Sequence, residues 1–564
     1  MPKVTINGRE CEFKPGQVIL QVANQVGTEI PQYCYHEGLS IVASCRICLA
    51  EIWMPDAKTG KLAPYMGGKL MPTCQTQCQD GMVIYTDSPK AVANQKAVME
   101  YLLINHPLDC PVCDQAGECL LQDYSYEYGR GQSRFEETKV KNPKKDLGPH
   151  VYLYADRCIM CTRCVRFTRE VSGTAELLVA GRGNREEIDV FPGRALDNEL
   201  SGNVVDLCPV GALLDKDFLF AQRVWFLKET ASIDGITASG DNISVHHNDG
   251  RVYRVKPRVN MSANRWWISD EVRFGWKFVH SERRLSGPRR RQFGVAVGAD
   301  WSRATAEAVE GLRRAVSGGK RLAVMVSPML ASEEAFLLAR AALALDPKAF
   351  LAVGPVPVHG QDKVFPPDDP KGFKVFAEKC PNARGVRAVL EAVSRRSPHN
   401  GYIASAEQML GQIRSGEIGG LILTGNYPSA WASRELVEAL GHSGSGPFVV
   451  CLDTLAGPLA DRADVLAPGC TWLEKSGSFL SARGHYQHFE QAIPALDGTR
   501  AEGQTALALI AASSSPGGEP ALYNPANVRR EMAEFAEELR PFLAEVVIST
   551  VGVEQQADME VVEV

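Results

Sequence analysis

The 564-residue chain has no apolar run long enough to span a bilayer. Its opening residues, MPKVTINGRE, hold no secretory apolar core. Membrane association is therefore expected only through partner subunits. The formal net charge of −6 gives no electrostatic basis for nucleic acid as a general partner. Cysteine is scarce in the second half: of 16, only Cys380, Cys451 and Cys470 lie beyond residue 210. A secreted disulfide framework would not be so lopsided, so metal ligation in a reducing compartment is expected. There is no G-x-G-x-x-G around Gly181 and Gly183, because position 186 is Glu, and AGRGNREE reads as a loop. What remains, 45% hydrophobic and 23% charged residues, fits several soluble globular domains.

Against that background, His106 to Cys164 stands out. NHPLDCPVCDQAGEC offers His106, Cys110, Cys113 and Cys119, and RCIMCTRCVRF offers Cys158, Cys161 and Cys164. Cysteines two residues apart can aim both sulfurs at one centre. A lone C-x2-C also suits zinc or a redox disulfide. The triple C-x2-C-x2-C is the bacterial iron–sulfur run, whose fourth cysteine normally follows before a proline. Here that position is Thr168, and the missing ligand is read far downstream as Cys208, followed by Pro209 in DLCPVGAL. Cys158, Cys161, Cys164 and Cys208 are assigned to one 4Fe–4S cluster. His106, Cys110, Cys113 and Cys119 form a second donor set. Zinc held by three thiolates and an imidazole is the rival there, and an imidazole-ligated cluster the favoured reading.

VTINGRECEF alternates around Asn7-Gly8, a type I′ hairpin signal. VILQVANQVG then reads as a short helix ending at Gly27. The following loop holds Cys34, Cys45 and Cys48 as C-x10-C-x2-C. A fourth ligand must come later, and spacing alone does not separate Cys74 from Cys78. Asp87-Ser88-Pro89 supplies an N-cap and an N1 proline for the next helix, with Val92, Met99, Leu102 and Leu103 as its apolar face. Asn105 and His106-Pro107 end it.

PQYCYHEGLSIVASCRICLAEI, CQDGM, VMEYLLINHPLDCPVCDQAGECLLQDYSYEYG and DRCIMCTRCVRF together resemble the large, G-type iron–sulfur subunit of complex I, the NADH:quinone oxidoreductase. In that family the fourth 2Fe–2S ligand stands seven residues before the glycine of the DGM-type turn. That implies Cys74, seven before Gly81, and leaves Cys78 a spare thiol. The resemblance also implies a 4Fe–4S cluster held by His106, Cys110, Cys113 and Cys119.

Residues 134–150 read as a polar spacer. From Thr230, short strands with an Asp249-Gly250 turn resemble the small domain that opens molybdopterin-type oxidoreductases. Some relatives place a further four-cysteine cluster there. No cysteine stands between 209 and 379, so that cluster is not expected. His246 and His247 read as surface or strand residues. SGPRRRQFG, residues 286–294, reads as a basic linker. ASEEAFLLARAALALDP reads as an amphipathic helix, and GLILTGNYP and PFVVCLDTLA as buried strands of a parallel sheet. Cys380, Cys451 and Cys470 are isolated, and no molybdenum cofactor is expected.

The expected fold class is α+β followed by α/β. A 2Fe–2S ferredoxin-like β-grasp domain covers 1–85. A 4Fe–4S segment ligated by one histidine and three cysteines covers 86–133, and a four-cysteine 4Fe–4S segment 134–225. A small molybdopterin-oxidoreductase-like domain without cluster cysteines covers 226–285. A degenerate molybdopterin-oxidoreductase-like α/β domain covers 286–550, and an acidic tail 551–564. The resemblance implies a relay of one 2Fe–2S and two 4Fe–4S clusters, with no independent substrate site. It would pass electrons from a flavin-bearing NADH subunit toward quinone within a proton-translocating complex. It also implies a peripheral position on the cytoplasmic side of a bacterial inner membrane, among flavin/NADH-binding and downstream iron–sulfur subunits. The rival readings are the electron-input subunit of a hydrogenase or formate dehydrogenase, and a zinc-stabilised scaffold.

Overall fold

Asn7 and Gly8 both take left-handed backbone, φ 49° and 82°, in the computed structural model, which describes residues 1–56, 58–441, 446–515 and 518–544. They join β1 (Lys3–Ile6) to β2 (Arg9–Glu12) as an antiparallel hairpin. The chain then forms α1 (Ile19–Gln25), β3 (Leu49–Pro55), β4 (Leu62–Pro64), β5 (Met71–Pro72) and β6 (Val83–Tyr85). The sheet order is β2-β1-β6-β3-β4, with β5 on β3 and a parallel β1–β6 pair. α1 covers this sheet through Ile19, Leu20, Val22 and Ala23.

Helix α2 (Pro89–Leu103) starts where Ser88 accepts a hydrogen bond from the Ala91 N–H. Its buried stripe is Ala91, Gln95 and Met99, narrower than the expected face, and Gln95 donates to the Thr86 carbonyl. Val92, Leu102 and Leu103 are half-buried. The supposed spacer after residue 134 is partly structural. Arg134 pairs with Glu100 at 2.6 Å, and Lys139 Nζ donates to the Leu103 and Ile104 carbonyls at 2.8 Å, capping α2. α3 (Leu120–Glu127) precedes β7 (Lys144–Asp146) and β8 (Val151–Tyr154). Next come α4 (Arg163–Glu170), β9 (Leu177–Ala180), β10 (Glu187–Val190), α5 (Asn203–Leu207) and β11 (Leu213–Asp215). β11-β8-β7 form one sheet, and Gly181 and Gly183 lie in the turn of the β9–β10 hairpin.

All of this belongs to a first unit, Met1–Leu227 with Val364–Phe373; the second is Lys228–Lys363 with the described residues from Lys374 to 544. In the second unit, strands Lys228–Ile233, Asn242–Asn248 and Arg251–Pro257 form an antiparallel sheet, with Asp249-Gly250 in its turn. A seven-stranded sheet follows. Its five strands Phe350–Val353, Arg321–Val326, Ile418–Thr424, Phe448–Asp453 and Val465–Pro468 run parallel in that order.

Two expectations fail here. Arg289–Gln292, read as linker, is a strand paired with Val295–Gly298 and with Val465–Pro468. Its arginines are taken up locally: Arg290 meets Glu307 at 3.2 Å, and Arg291 donates to the Gly294 carbonyl. The helix Ser332–Leu345 is buried along nearly its whole length rather than amphipathic. Its Glu333 and Glu334 are fully buried, paired with Arg529 and Lys475. The acidic tail expected at 551–564 lies outside the described residues. Among the described residues no helix is long and apolar enough to cross a membrane.

Candidate iron–sulfur centres

The first group forms where β3 begins and β5 ends. Leu49 pairs with Pro72, which sets Cys48 beside Thr73; the Thr73 hydroxyl donates to the Cys48 carbonyl at 3.0 Å. Cys74 follows directly. Its thiol is in hydrogen-bond contact with that of Cys48, and Cys34 is in the same contact with Cys45. In each pair the acceptor thiol, Cys34 or Cys48, is held below its usual pKa, first by that hydrogen bond. Left-handed Ala43 and Arg46 (φ 48° and 57°) flank Cys45 and curl the loop around it. Cys34, Cys48 and Cys74 are buried. Cys78 is elsewhere. Its N–H donates to the Gln17 carbonyl, and its thiol, pushed up to about 12 by burial, neighbours Cys11 instead.

His106 emerges two residues past the α2 C-cap. Cys110 opens a single 3-10 turn, and Cys119 is the N-cap of α3. Cys110, Cys113 and Cys119 are within electrostatic reach of one another. His106 shares the neighbourhood of Arg157 with Cys113. Burial, reinforced by Arg157 and Lys139, pushes His106 down to about 4, keeping the imidazole neutral. Arg157 itself is paired with Asp109 at 2.7 Å. Arg223 ties the loop by donating to the Cys110 and Cys113 carbonyls, both at 3.0 Å.

Cys158, Cys161, Cys164 and Cys208 line one small cavity, together with Leu153, Ile188, Val210 and Leu213. Met160 and Thr162 are left-handed (φ 52° and 58°), so the run between the cysteines coils tightly. The Met160 N–H points at Cys158 Sγ (3.4 Å), and Cys208 accepts from the Val210, Ala212 and Leu213 N–H groups. Burial pushes Cys158 up to about 12 and Cys161 to about 11. A bare thiolate is disfavoured in such a place, whereas a cationic iron core would stabilise it. Four thiols around a closed, largely apolar space thus fit an iron–sulfur group. Among the described residues no three His, Cys, Asp or Glu side chains are arranged to grip a single bare ion.

The groups are in direct structural contact. The Leu120 N–H donates to the Pro209 carbonyl at 3.0 Å. A methyl at Gly211 would fall 2.2 Å from Cys113 Sγ, so only glycine lets the segment after Cys208 pass that close. On the other side, α4 reaches the first group. Arg163 donates to the Tyr35 carbonyl at 2.5 Å and to the Leu207 carbonyl at 3.3 Å. Arg166 donates to the Cys34, Ser40 and Cys161 carbonyls. Sequence reasoning passed over Arg157, Arg163, Arg166 and Gly211. The signal was present as arginines interleaved with the cysteines in DRCIMCTRCVRF.

Family models match in the same places. A 2Fe-2S iron-sulfur cluster binding domain covers residues 2–89. The NADH-ubiquinone oxidoreductase-G iron-sulfur binding region covers 95–134. The ferredoxin-like domain of NADH-quinone oxidoreductase subunit 3 covers 148–214. An NDSU1/NuoG-like 4Fe-4S domain covers 227–277, a stretch that here has no cysteine. A molybdopterin oxidoreductase model covers 382–510. The chain therefore carries an iron–sulfur oxidoreductase region followed by a molybdopterin-oxidoreductase-like domain.

The G subunit of NADH-quinone oxidoreductase from Rickettsia felis is 39% identical over 338 residues, 60% of this chain and 48% of its own. The NADH-ubiquinone oxidoreductase 75 kDa subunit of Reclinomonas americana is 42% identical over 54% of this chain and 42% of its own. The mitochondrial 78 kDa subunit of Neurospora crassa is 42% identical over 54% of this chain and 40% of its own. Over the matched part the chain is thus similar to the G subunits and 75–78 kDa subunits of NADH-quinone oxidoreductases, and it spans less than half the length of these relatives. A chain from the crystal structure of NAD+-reducing [NiFe]-hydrogenase in the H2-reduced state is 28% identical. It covers 40% of this chain and 91% of its own, at a TM-score of 0.35, too low to indicate a shared overall shape.

Proposed function

We propose that this chain is the iron–sulfur electron-transfer subunit of an NADH:quinone oxidoreductase of the complex I type. Cys34, Cys45, Cys48 and Cys74 would hold a 2Fe–2S cluster. His106, Cys110, Cys113 and Cys119 would hold one 4Fe–4S cluster, and Cys158, Cys161, Cys164 and Cys208 another. The observation that supports this reading is that all twelve candidate donors lie in one unit, with the segment after Cys208 against Cys113 and α4 against the Cys34 loop. Such clusters, when bound, exchange single electrons at potentials between about −700 and +450 mV, tuned by charge, hydrogen bonds and exposure.

The chain's own residues set those conditions. N–H groups aimed at Cys158 and Cys208 stabilise added negative charge there. His106 contributes a neutral donor where the other groups have a thiolate. Leu153, Ile188 and Val210 exclude water from the four-cysteine site. The segments 1–85, 86–133 and 134–225 would each carry one group. The partners would be a flavin-bearing NADH-oxidising subunit upstream and further iron–sulfur subunits downstream. The chain would lie at the cytoplasmic face of the membrane, attached through those partners, within a complex that couples electron flow to proton translocation.

The test is turnover. The purified, cluster-loaded, flavin-free chain is expected to show no NADH:quinone activity, which appears on assembly with its partner subunits. Appreciable turnover by the chain alone, or hydrogen uptake by the assembled complex without NADH oxidation, would overturn the proposal.

A further inference from the structure

Arg163 and Arg166 are both buried on α4, between the Cys34 loop and the Cys158–Cys164 run. Burying a charge is costly unless something compensates it. Every hydrogen bond of these two guanidiniums goes to a backbone carbonyl: Tyr35 and Leu207 for Arg163, and Cys34, Ser40 and Cys161 for Arg166. Neither forms an ion pair with a carboxylate among the described residues, and both Nε–H groups are buried without a partner. Carbonyl dipoles solvate the cations only in part. Arg157 differs, because Asp109 already balances it.

The accepting carbonyls are mostly those of cysteines or of their immediate chain neighbours. Tyr35 follows Cys34, Leu207 precedes Cys208, and Cys34 and Cys161 accept directly. The two cations therefore touch the backbone of both the first and the third donor groups at once. When four thiolates hold an iron–sulfur core they outnumber its positive charge, so each occupied site is anionic, and reduction makes it more so.

We infer that Arg163 and Arg166 are shared counter-charges of the 2Fe–2S site and the four-cysteine 4Fe–4S site, positioning residues that raise both reduction potentials and leave the His106 site unaffected. This deepens the proposed function and rests on it. Both sites gain negative charge on reduction beside the same two cations, and the charge added at one repels the electron entering the other, so each makes the other harder to reduce.

The test is a redox titration of the cluster-loaded chain, followed by paramagnetic resonance, for Arg163→Gln, Arg166→Gln, Arg163→Lys and Arg166→Lys. Each Gln variant is expected to lower the midpoints of the two-iron and four-cysteine signals together. The expected size is a tenfold or greater change in the oxidised-to-reduced ratio at fixed potential, about 59 mV for one electron. The His106 site stays in place, and each Lys variant recovers at least half of the shift. Unmoved midpoints in iron-replete Gln variants would overturn the inference. So would equal falls in the Lys and Gln variants, which mark a purely steric role, or an equal shift at all three sites. If the Gln variants do not accumulate, Arg163→Met and Arg166→Met, which keep the bulk and lose the charge, take their place under the same criteria. A wild-type chain without iron signals would instead defeat the functional proposal itself.

Discussion

Cys74→Ser is expected to abolish the two-iron signal, and Cys78→Ser to leave it intact. The two cysteines are four residues apart and share one apolar cluster, yet their thiols meet different partners. Cys74 lies just after β5, which the Leu49–Pro72 register sets against the start of β3 and hence against Cys48. Its thiol meets that of Cys48 and is within electrostatic reach of Cys34 and Cys45. Cys78 is carried away by the Val18–Gln77 bridge into the apolar core, beside Cys11. No rotation of the Cys78 side chain exchanges these neighbours, because the backbone on either side is pinned by hydrogen bonds to α1 and its approach. The check is low-temperature paramagnetic resonance of both variants after reduction, with iron counted on the same samples. Loss of two irons in the Cys74 variant alone is the expected outcome, and the reverse pattern would reassign the ligand.

The second large effect lies far from any cluster ligand in the sequence. Lys475→Met is expected to destabilise the second unit by about 3–5 kcal/mol, the usual cost of removing one partner of a buried ion pair. Lys475 Nζ sits 2.8 Å from Glu334 and 2.5 Å from Glu502, and all three side chains are almost wholly out of solvent. Glu502 also accepts from Asn426 at 2.7 Å. Removing the ammonium leaves two carboxylates facing each other in the core, so at least one must take a proton. Calorimetry is expected to show the second unit's transition fall while the cluster spectra stay unchanged. The triple change Lys475→Met, Glu334→Gln, Glu502→Gln is expected to recover most of the loss, since no buried charge is then left unpaired. A Lys475→Met protein as stable as wild type would mean that the network contributes nothing.

Both effects show where sequence reading stops. Short-range features were readable: the Asn7-Gly8 and Asp249-Gly250 turns, the Ser88 cap of α2, and the parallel strands Ile418–Thr424 and Phe448–Asp453. The Cys-Pro pair at Cys208 stood out because the C-x2-C-x2-C run lacked its fourth member. Cys158, Cys161, Cys164 and Cys208 are also the four that line one cavity. What could not be read depends on partners distant in sequence. Spacing did not separate Cys74 from Cys78, since a strand register decides it. ASEEAFLLARAALALDP read as an amphipathic helix, whereas its Glu333 and Glu334 are buried against Arg529 and Lys475, partners 196 and 141 residues away. Arg163 and Arg166 drew no notice because arginine is ordinarily a surface residue. Arg289–Gln292 looked like a linker because its charges mask an edge hairpin that closes the large sheet.

Iron per chain, measured with reduced-state paramagnetic resonance on one anaerobic preparation assembled with its partners, bears most directly on the claim that thiols and one imidazole hold a three-centre relay. About ten irons from this chain, in three distinct spin systems of the two-iron and four-iron types, is the expected result. A colourless protein with stoichiometric zinc and no iron would contradict it.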